Sequence, residues 1–293
     1  VYLVDPAVMA LSPGIAVGIA IAFLAGGWIV YDLLCKSPLG QDDRRLGVAV
    51  FALVSLLAWA LCQVFGGRGA YLHFGAVLGT IMVANVAMVI IPGQRRMVAA
   101  LERGSPVDPE DGKKGKQRSV HNTYFTLPVL FTMTSNHFAM TYSHEYNWLI
   151  LIAISLAGAL VRVYFVARQS GTQKPASIAV AMLLLAGVVV AVAPRTPVDG
   201  GGGEAGIADL RGVILTRCTN CHASNPSHPA FTAPPAGVVL ESDDDLLANA
   251  SRLHRQTVVL RAMPIGNLTG MTEEERALVD RWFRALDPTY RDE

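Results

Sequence analysis

Charge is scarce in this sequence. Only 16% of its 293 residues are Asp, Glu, Lys or Arg, against about 25% in soluble domains. The shortage falls on Val1 to Ala193 and excludes a soluble globular reading for that stretch. There is no basic run interleaved with aromatic residues, so the chain offers no nucleic-acid surface. Val1 is followed by neither a charged n-region nor a small-residue cleavage site, which excludes a signal peptide at this point. VYLVDPAVMALSPG reads instead as a loop entering a helix in mid-protein, and an N-terminal portion is expected to be missing. No internal repeat and no clearly broken helix pair is present, which disfavours a transporter. Cysteine is rare too, at four residues, and there is no second Cys-x-x-Cys to complete a zinc site.

What fills the first two-thirds is apolar sequence in runs near the roughly 20 residues that cross a bilayer core as helix. Six spans are expected, at about 8–34, 46–65, 70–91, 121–141, 147–167 and 177–193. The intervening loops differ sharply in basic residues. One set carries twelve, namely Lys36, Arg44, Arg45, Arg95, Arg96, Arg103, Lys113, Lys114, Lys116, Arg118, Arg168 and Lys174, whereas the other carries only Arg68. The excess of Lys and Arg marks the cytoplasmic side, so both Val1 and the C-terminal part are expected outside, with the bilayer as the partner of the first part. Gly75 and Gly79 form a small-xxx-small pair suited to close helix packing, and Pro128 is expected to kink the fourth span.

Polar residues inside these spans are costly and tend to mark function. By depth they form two groups. The outer one holds His73, His137, Asn136 and Arg68, candidates for substrate binding and proton transfer, with Gln63 nearby. The inner one holds Asp32, Asn85, His121 and Asn122. His121 and His137 are about 24 Å apart along one helix, so no single small ligand touches both. An intramembrane haem b is conceivable from the histidines, but no pair is diagnostic.

After Ala193 the composition changes. PRTPVDGGGGEAG, 194–206, has the make-up of a flexible linker. Next, IADLRGVILTRC sets Ile207, Leu210, Val213 and Ile214 on one helical face and leads into Cys218-x-x-Cys221-His222. Two thiols at this spacing can add to two haem vinyl groups while the adjacent imidazole lies below the iron. A zinc site would have to conscript His228 and His254, and a dithiol switch would need a strand–helix context that is absent. A haem needs a second axial ligand, and Met263, in RAMPIGN, is the choice; Met271 competes but adjoins the next helix, which Thr272-x-x-Glu275 opens as a capping box. That helix is expected to pack through Ala277, Leu278, Arg281 and Trp282. Cys35 and Cys62 read as buried small hydrophobes.

The segment 205–288 resembles a class I cytochrome c. More widely, GRGAYLHFGAVLGTIMVANV…IIPGQRR, GKQRSVHNTYFTLPVLF, TNCHASNPSHPAFTAPPAGVVL and RAMPIGNLTGMTEEER resemble the bacterial membrane-bound urate hydroxylase. The resemblance implies an all-α protein with a transmembrane urate oxidase-like domain (1–193), a Gly-rich linker (194–206) and a cytochrome c domain (207–293). It implies further membrane helices ahead of Val1, oxidation of urate to 5-hydroxyisourate, and one covalent haem c attached through Cys218 and Cys221 that delivers electrons to a soluble cytochrome or terminal oxidase. It also implies a bacterial inner-membrane location with the cytochrome domain periplasmic. The rival expectation is a membrane-anchored electron-transfer cytochrome c subunit of a respiratory complex with no substrate of its own.

Overall fold

Helix starts in the first part of the chain are written into the sequence. In the computed structural model, which describes residues 8–9, 11–193, 205–229 and 231–287, α1 (Pro13–Lys36) opens with Ser12 as cap and Pro13 in the first turn. Proline suits that position because its missing N–H has no helical acceptor. In α2 (Asp43–Val64) the Asp42 carboxylate accepts the Arg44 and Arg45 N–H groups at 2.8 and 3.2 Å. A third helix runs without a break from Gly67 to Glu102. It comprises α3 (Gly67–Ala84), a π-helical turn (Asn85–Ile90) and α4 (Ile91–Glu102).

α5 (Pro109–Thr134) is capped by Asp108, with Pro109, Glu110 and Asp111 in its first turn. It therefore begins a dozen residues before the expected fourth span. Arg118, counted above among loop cations, lies inside this helix and is buried. The sequence reading failed here because a polar first half conceals a helix whose start is set by capping rather than hydropathy. Pro128 is accommodated within α5, which gives way to a 3-10 turn at Ser135–His137. The short α6 (Ala139–Tyr142), α7 (Asn147–Gln169) and α8 (Pro175–Val192) complete this part.

Among the described residues five helices are long and apolar enough to cross a membrane: α1, α2, the Gly67–Glu102 helix, α7 and α8. α5 packs among them against α3 and α7. Large apolar side chains point outward along these helices, among them Val48, Leu183 and Val190, all more than 70% exposed. The interior is filled by Tyr31, Phe65, Tyr71, Phe74, Leu78 and Ile81. Only one of the two expected contact glycines is needed: a Cβ on Gly75 would clash with Thr132 Oγ1, whereas one on Gly79 would meet nothing.

The chain divides into two compact units whose main segments are Leu11–Val192 and Ala193–Glu293. Most of the expected linker, 194–204, lies outside the described residues. The second unit contains α9 (Ile207–Arg217), α10 (Thr219–His222), α11 (Asp243–Ala248), α12 (Ala250–His254) and α13 (Glu273–Leu286). Leu210, Val213 and Ile214 of α9 enter its core as their spacing requires. Thr272 and Glu275 form the capping box of α13. The buried face of α13 is Arg276, Val279, Asp280, Trp282 and Phe283, about one residue out of register with the face expected. Polar Arg276 and Asp280 point inward because each has a partner there, which an apolar pattern cannot show. Among the described residues every long segment is helical and no β-strand forms.

Candidate functional site

A charged group inside an apolar bundle persists only when it is paired and hydrogen-bonded. At one end of the first unit the sequence places several. Asp32 lies in the last turns of α1, Asn85 begins the π turn, and Arg118, His121 and Asn122 follow one another on one face of α5. Arg118 Nη2 donates to Asp32 Oδ1 at 2.7 Å, with 4% and 8% of the two side chains exposed. Lys36 takes the other carboxylate oxygen at 2.6 Å. Arg118 Nη1 donates to Asn85 Oδ1 at 3.1 Å, and its guanidinium lies 4.9 Å from the centre of the Tyr31 ring.

From Arg118 the hydrogen-bond directions follow one after another. A guanidinium cannot accept, so the Asn85 carbonyl oxygen must face it. The Asn85 amide nitrogen then donates to Tyr31 Oη at 3.1 Å and to Asn122 Oδ1 at 2.9 Å. Asn122 in turn donates to the Met82 carbonyl at 3.0 Å. Tyr31 Oη also lies 2.8 Å from His121 Nδ1, a bond in which either atom can donate. The other ring nitrogen, His121 Nε2, is left outside this chain of bonds. That nitrogen has no hydrogen-bond partner among the described residues.

All four inner candidates, Asp32, Asn85, His121 and Asn122, thus share one network. Sequence reasoning missed Arg118, which holds it together, and Tyr31, which links it to His121. A signal for Arg118 was present: Arg118, His121, Asn122 and Phe125 are spaced at i, i+3, i+4 and i+7.

Two of the outer candidates are joined: Arg68 Nε donates to Asn136 Oδ1 at 2.7 Å. His73 is half-buried, bonds the Ala20 carbonyl through Nε2 at 3.0 Å and meets the edge of Phe65. His137 is exposed in the 3-10 turn and makes no side-chain hydrogen bond among the described residues. The helix expected to run to 141 ends at Thr134.

In the second unit, α9 delivers Cys218 and α10 carries Cys221 and His222; both thiols are free. His222 Nδ1 donates to the Val238 carbonyl at 3.0 Å, which fixes the ring and leaves Nε2 as the nitrogen available for an iron. Met263 is half-buried, and its loop is held from α13: Arg276 Nη1 donates to the Met263 carbonyl at 3.0 Å and also to the Thr257 carbonyl. Met271, by contrast, is 3% exposed and packed in the core. These residues fit a haem attached through both thiols with His222 and Met263 as axial ligands. The zinc alternative does not fit. His254 Nε2 is bonded to the buried Asp280 at 2.7 Å with its ring stacked on Phe283, and among the described residues no three His, Cys, Asp or Glu are grouped to hold a metal ion.

Compared with protein families, residues 1–193 match the model described as urate oxidase N-terminal. The chain belongs to that family. Comparison with curated proteins and with solved structures gives no match. The urate oxidase N-terminal match takes in α1 to α8 and so the whole of the Asp32–Arg118 network, and it stops where the C-x-x-C-H unit begins.

Proposed function

We propose that this chain is a membrane-bound oxidoreductase that hydroxylates urate to 5-hydroxyisourate and passes the electrons through a covalent haem c. The observation that carries the reading is the urate oxidase N-terminal match over residues 1–193, joined in one chain to a Cys218-x-x-Cys221-His222 unit whose imidazole is held by Val238 with Nε2 free. The membrane reading is supported by the five long apolar helices and their outward-facing apolar side chains. The lopsided distribution of Lys and Arg supports 92–120 facing the cytoplasm and the second unit lying in the periplasm of a bacterial inner membrane.

The reaction balances as urate plus water giving 5-hydroxyisourate, two electrons and two protons. Haem c supplies a one-electron acceptor, so the electrons leave singly for a soluble cytochrome or a terminal oxidase. Cys218 and Cys221 would hold the haem covalently, and His222 and Met263 would ligate its iron. The protein's remaining task is to bind the urate anion, orient it and accept protons, for which histidine is the suitable side chain.

The test is an absorption spectrum of the oxidised, purified protein under anaerobic conditions with and without urate. Urate should reduce the haem. A haem that dithionite reduces and urate does not would instead indicate an electron-transfer subunit without a substrate.

A further inference from the structure

Between α2, α5 and α7 the first unit encloses a cavity of about 670 Å³, within the range of small-molecule sites. Its walls are apolar, with Val50, Phe51 and Val54 from α2 and Ala159 and Val163 from α7. The lining also includes four exposed cations, Arg44, Lys113, Lys116 and Lys174, and one carboxylate, Asp43, which accepts from Gln117 at 3.1 Å. Two buried polar side chains line it as well. His121 is 7% exposed and Ser155 4%, and the Ser155 hydroxyl has no hydrogen-bond partner among the described residues. A buried hydroxyl left unpaired inside an apolar bundle is costly and marks a place where a ligand completes the bonding.

We infer that this cavity is the substrate site and that it takes a planar purine anion. The inference rests on the urate reading above. Exposed cations favour an anion at the mouth, the apolar walls accept the faces of a flat heterocycle, and two polar groups fix its edge. His121, held through Nδ1 by the chain Arg118–Asn85–Tyr31, offers its Nε2, which has no hydrogen-bond partner among the described residues. Ser155 supplies a group that can donate or accept. The substrate is thereby placed beside the inner network, at the end of the first unit that carries most of its Lys and Arg, and its electrons must cross most of a ~30 Å core to reach a periplasmic haem c. Arg118 and Tyr31 act as positioning residues through His121.

The test uses the full-length holoprotein with its haem pre-reduced by dithionite, so that radiolabelled urate binds without turnover. Equilibrium dialysis compares wild type with Ala159→Phe, which fills the cavity, and His121→Phe, which removes Nε2. Both should bind urate at least about tenfold more weakly, the loss expected for a hydrogen bond to a charged ligand. His137→Phe should bind as wild type does. Arg44→Gln with Lys116→Gln changes only exposed positions and so keeps the fold; it should weaken binding several-fold at low salt and by less at high salt. Tyr31→Phe should weaken binding and move the pH at which it is lost, which a purely structural role would not do.

Binding by wild type that Ala159→Phe, His121→Phe and the charge variant all leave unchanged overturns the site while the urate reading stands. Absence of urate binding and of urate-dependent haem reduction in wild type removes the urate reading itself. If the charge variant loses co-purified anionic phospholipid yet binds urate normally, the cavity is a lipid site and the inference is wrong.

Discussion

Replacing Arg118 with leucine should destabilise the first unit by about 4 kcal/mol, since removing one partner of a buried ion pair costs about 3–5 kcal/mol. The residue makes three interactions at once: the 2.7 Å pair with Asp32, the 3.1 Å bond to Asn85 and the approach to the Tyr31 ring. These are not additive, because the largest part of the loss is the stranded Asp32 carboxylate. Lys36 retains one of its oxygens, but that side chain is 68% exposed and anchors the carboxylate weakly. Arg118→Lys should recover less than half of the loss, since one ammonium cannot reproduce the planar fork that reaches both Asp32 and Asn85. The double change Asp32→Leu with Arg118→Leu should lie within about 1 kcal/mol of wild type, because an apolar pair in place of a buried ion pair is often neutral. Unfolding can be followed in a Cys35→Ser background by reaction of a thiol dye with Cys62, which is 7% exposed. If Arg118→Leu is as stable as wild type, or if the double change is as damaging as the single, the network is not an obligate buried pair and the reasoning fails.

Gly75→Ala should cost about 1–3 kcal/mol by forcing Thr132 aside, while Gly79→Ala should be neutral; equal melting temperatures would refute the close approach of α3 and α5. Met263→Ala should abolish the long-wavelength absorption band of the iron–sulfur bond with little loss of fold, whereas Met271→Ala should keep the band and lose about 2–5 kcal/mol of stability. The reverse pattern would exchange the ligand. In the haem-free chain, burial pushes the Cys218 thiol up to about 12 and raises Cys221 as well. Alkylation should therefore be slow at neutral pH and accelerate as pH rises, with Cys221 first because it is less buried; rapid labelling of Cys218 at pH 7 would contradict its burial. A cysteine at Lys114 should be inaccessible to an impermeant label in whole cells and one at Glu145 accessible, and the opposite result would invert the topology.

Much of the fold was legible because apolar length and capping residues act locally. Thr272-x-x-Glu275 starts its helix where the sequence places it, whereas α1 starts at Pro13 and not at about 8, because Ser12 and Pro13 set its first turn. What could not be read depends on contacts between distant segments. Arg118 and Asp32 are 86 positions apart; local spacing could put Arg118 on the face of His121 and Asn122, but not name the carboxylate that meets it. The one-residue shift in the buried face of α13 has the same origin, since Arg276 and Asp280 turn inward only because the Met263 loop and His254 lie there. Depth along the chain divided the polar residues into an inner and an outer set, and the four inner ones share one network. It could not say which set would be joined together, because that depends on the rotation of each helix about its axis.

The π turn at Asn85–Ile90 has a consequence for which changes of length this protein can survive. A π turn holds an additional residue within an otherwise α-helical ladder. Deleting one codon within this stretch would close the ladder to regular α and leave all that follows in nearly its present phase, so Arg96 would still reach Asp111 from beyond the turn. Deleting one codon from the regular helix on either side has no such slack and would rotate all that follows by about 100° relative to all that precedes. A change of length in this helix should therefore be survivable at the turn, so long as Asn85 keeps its bonds, and damaging elsewhere along it.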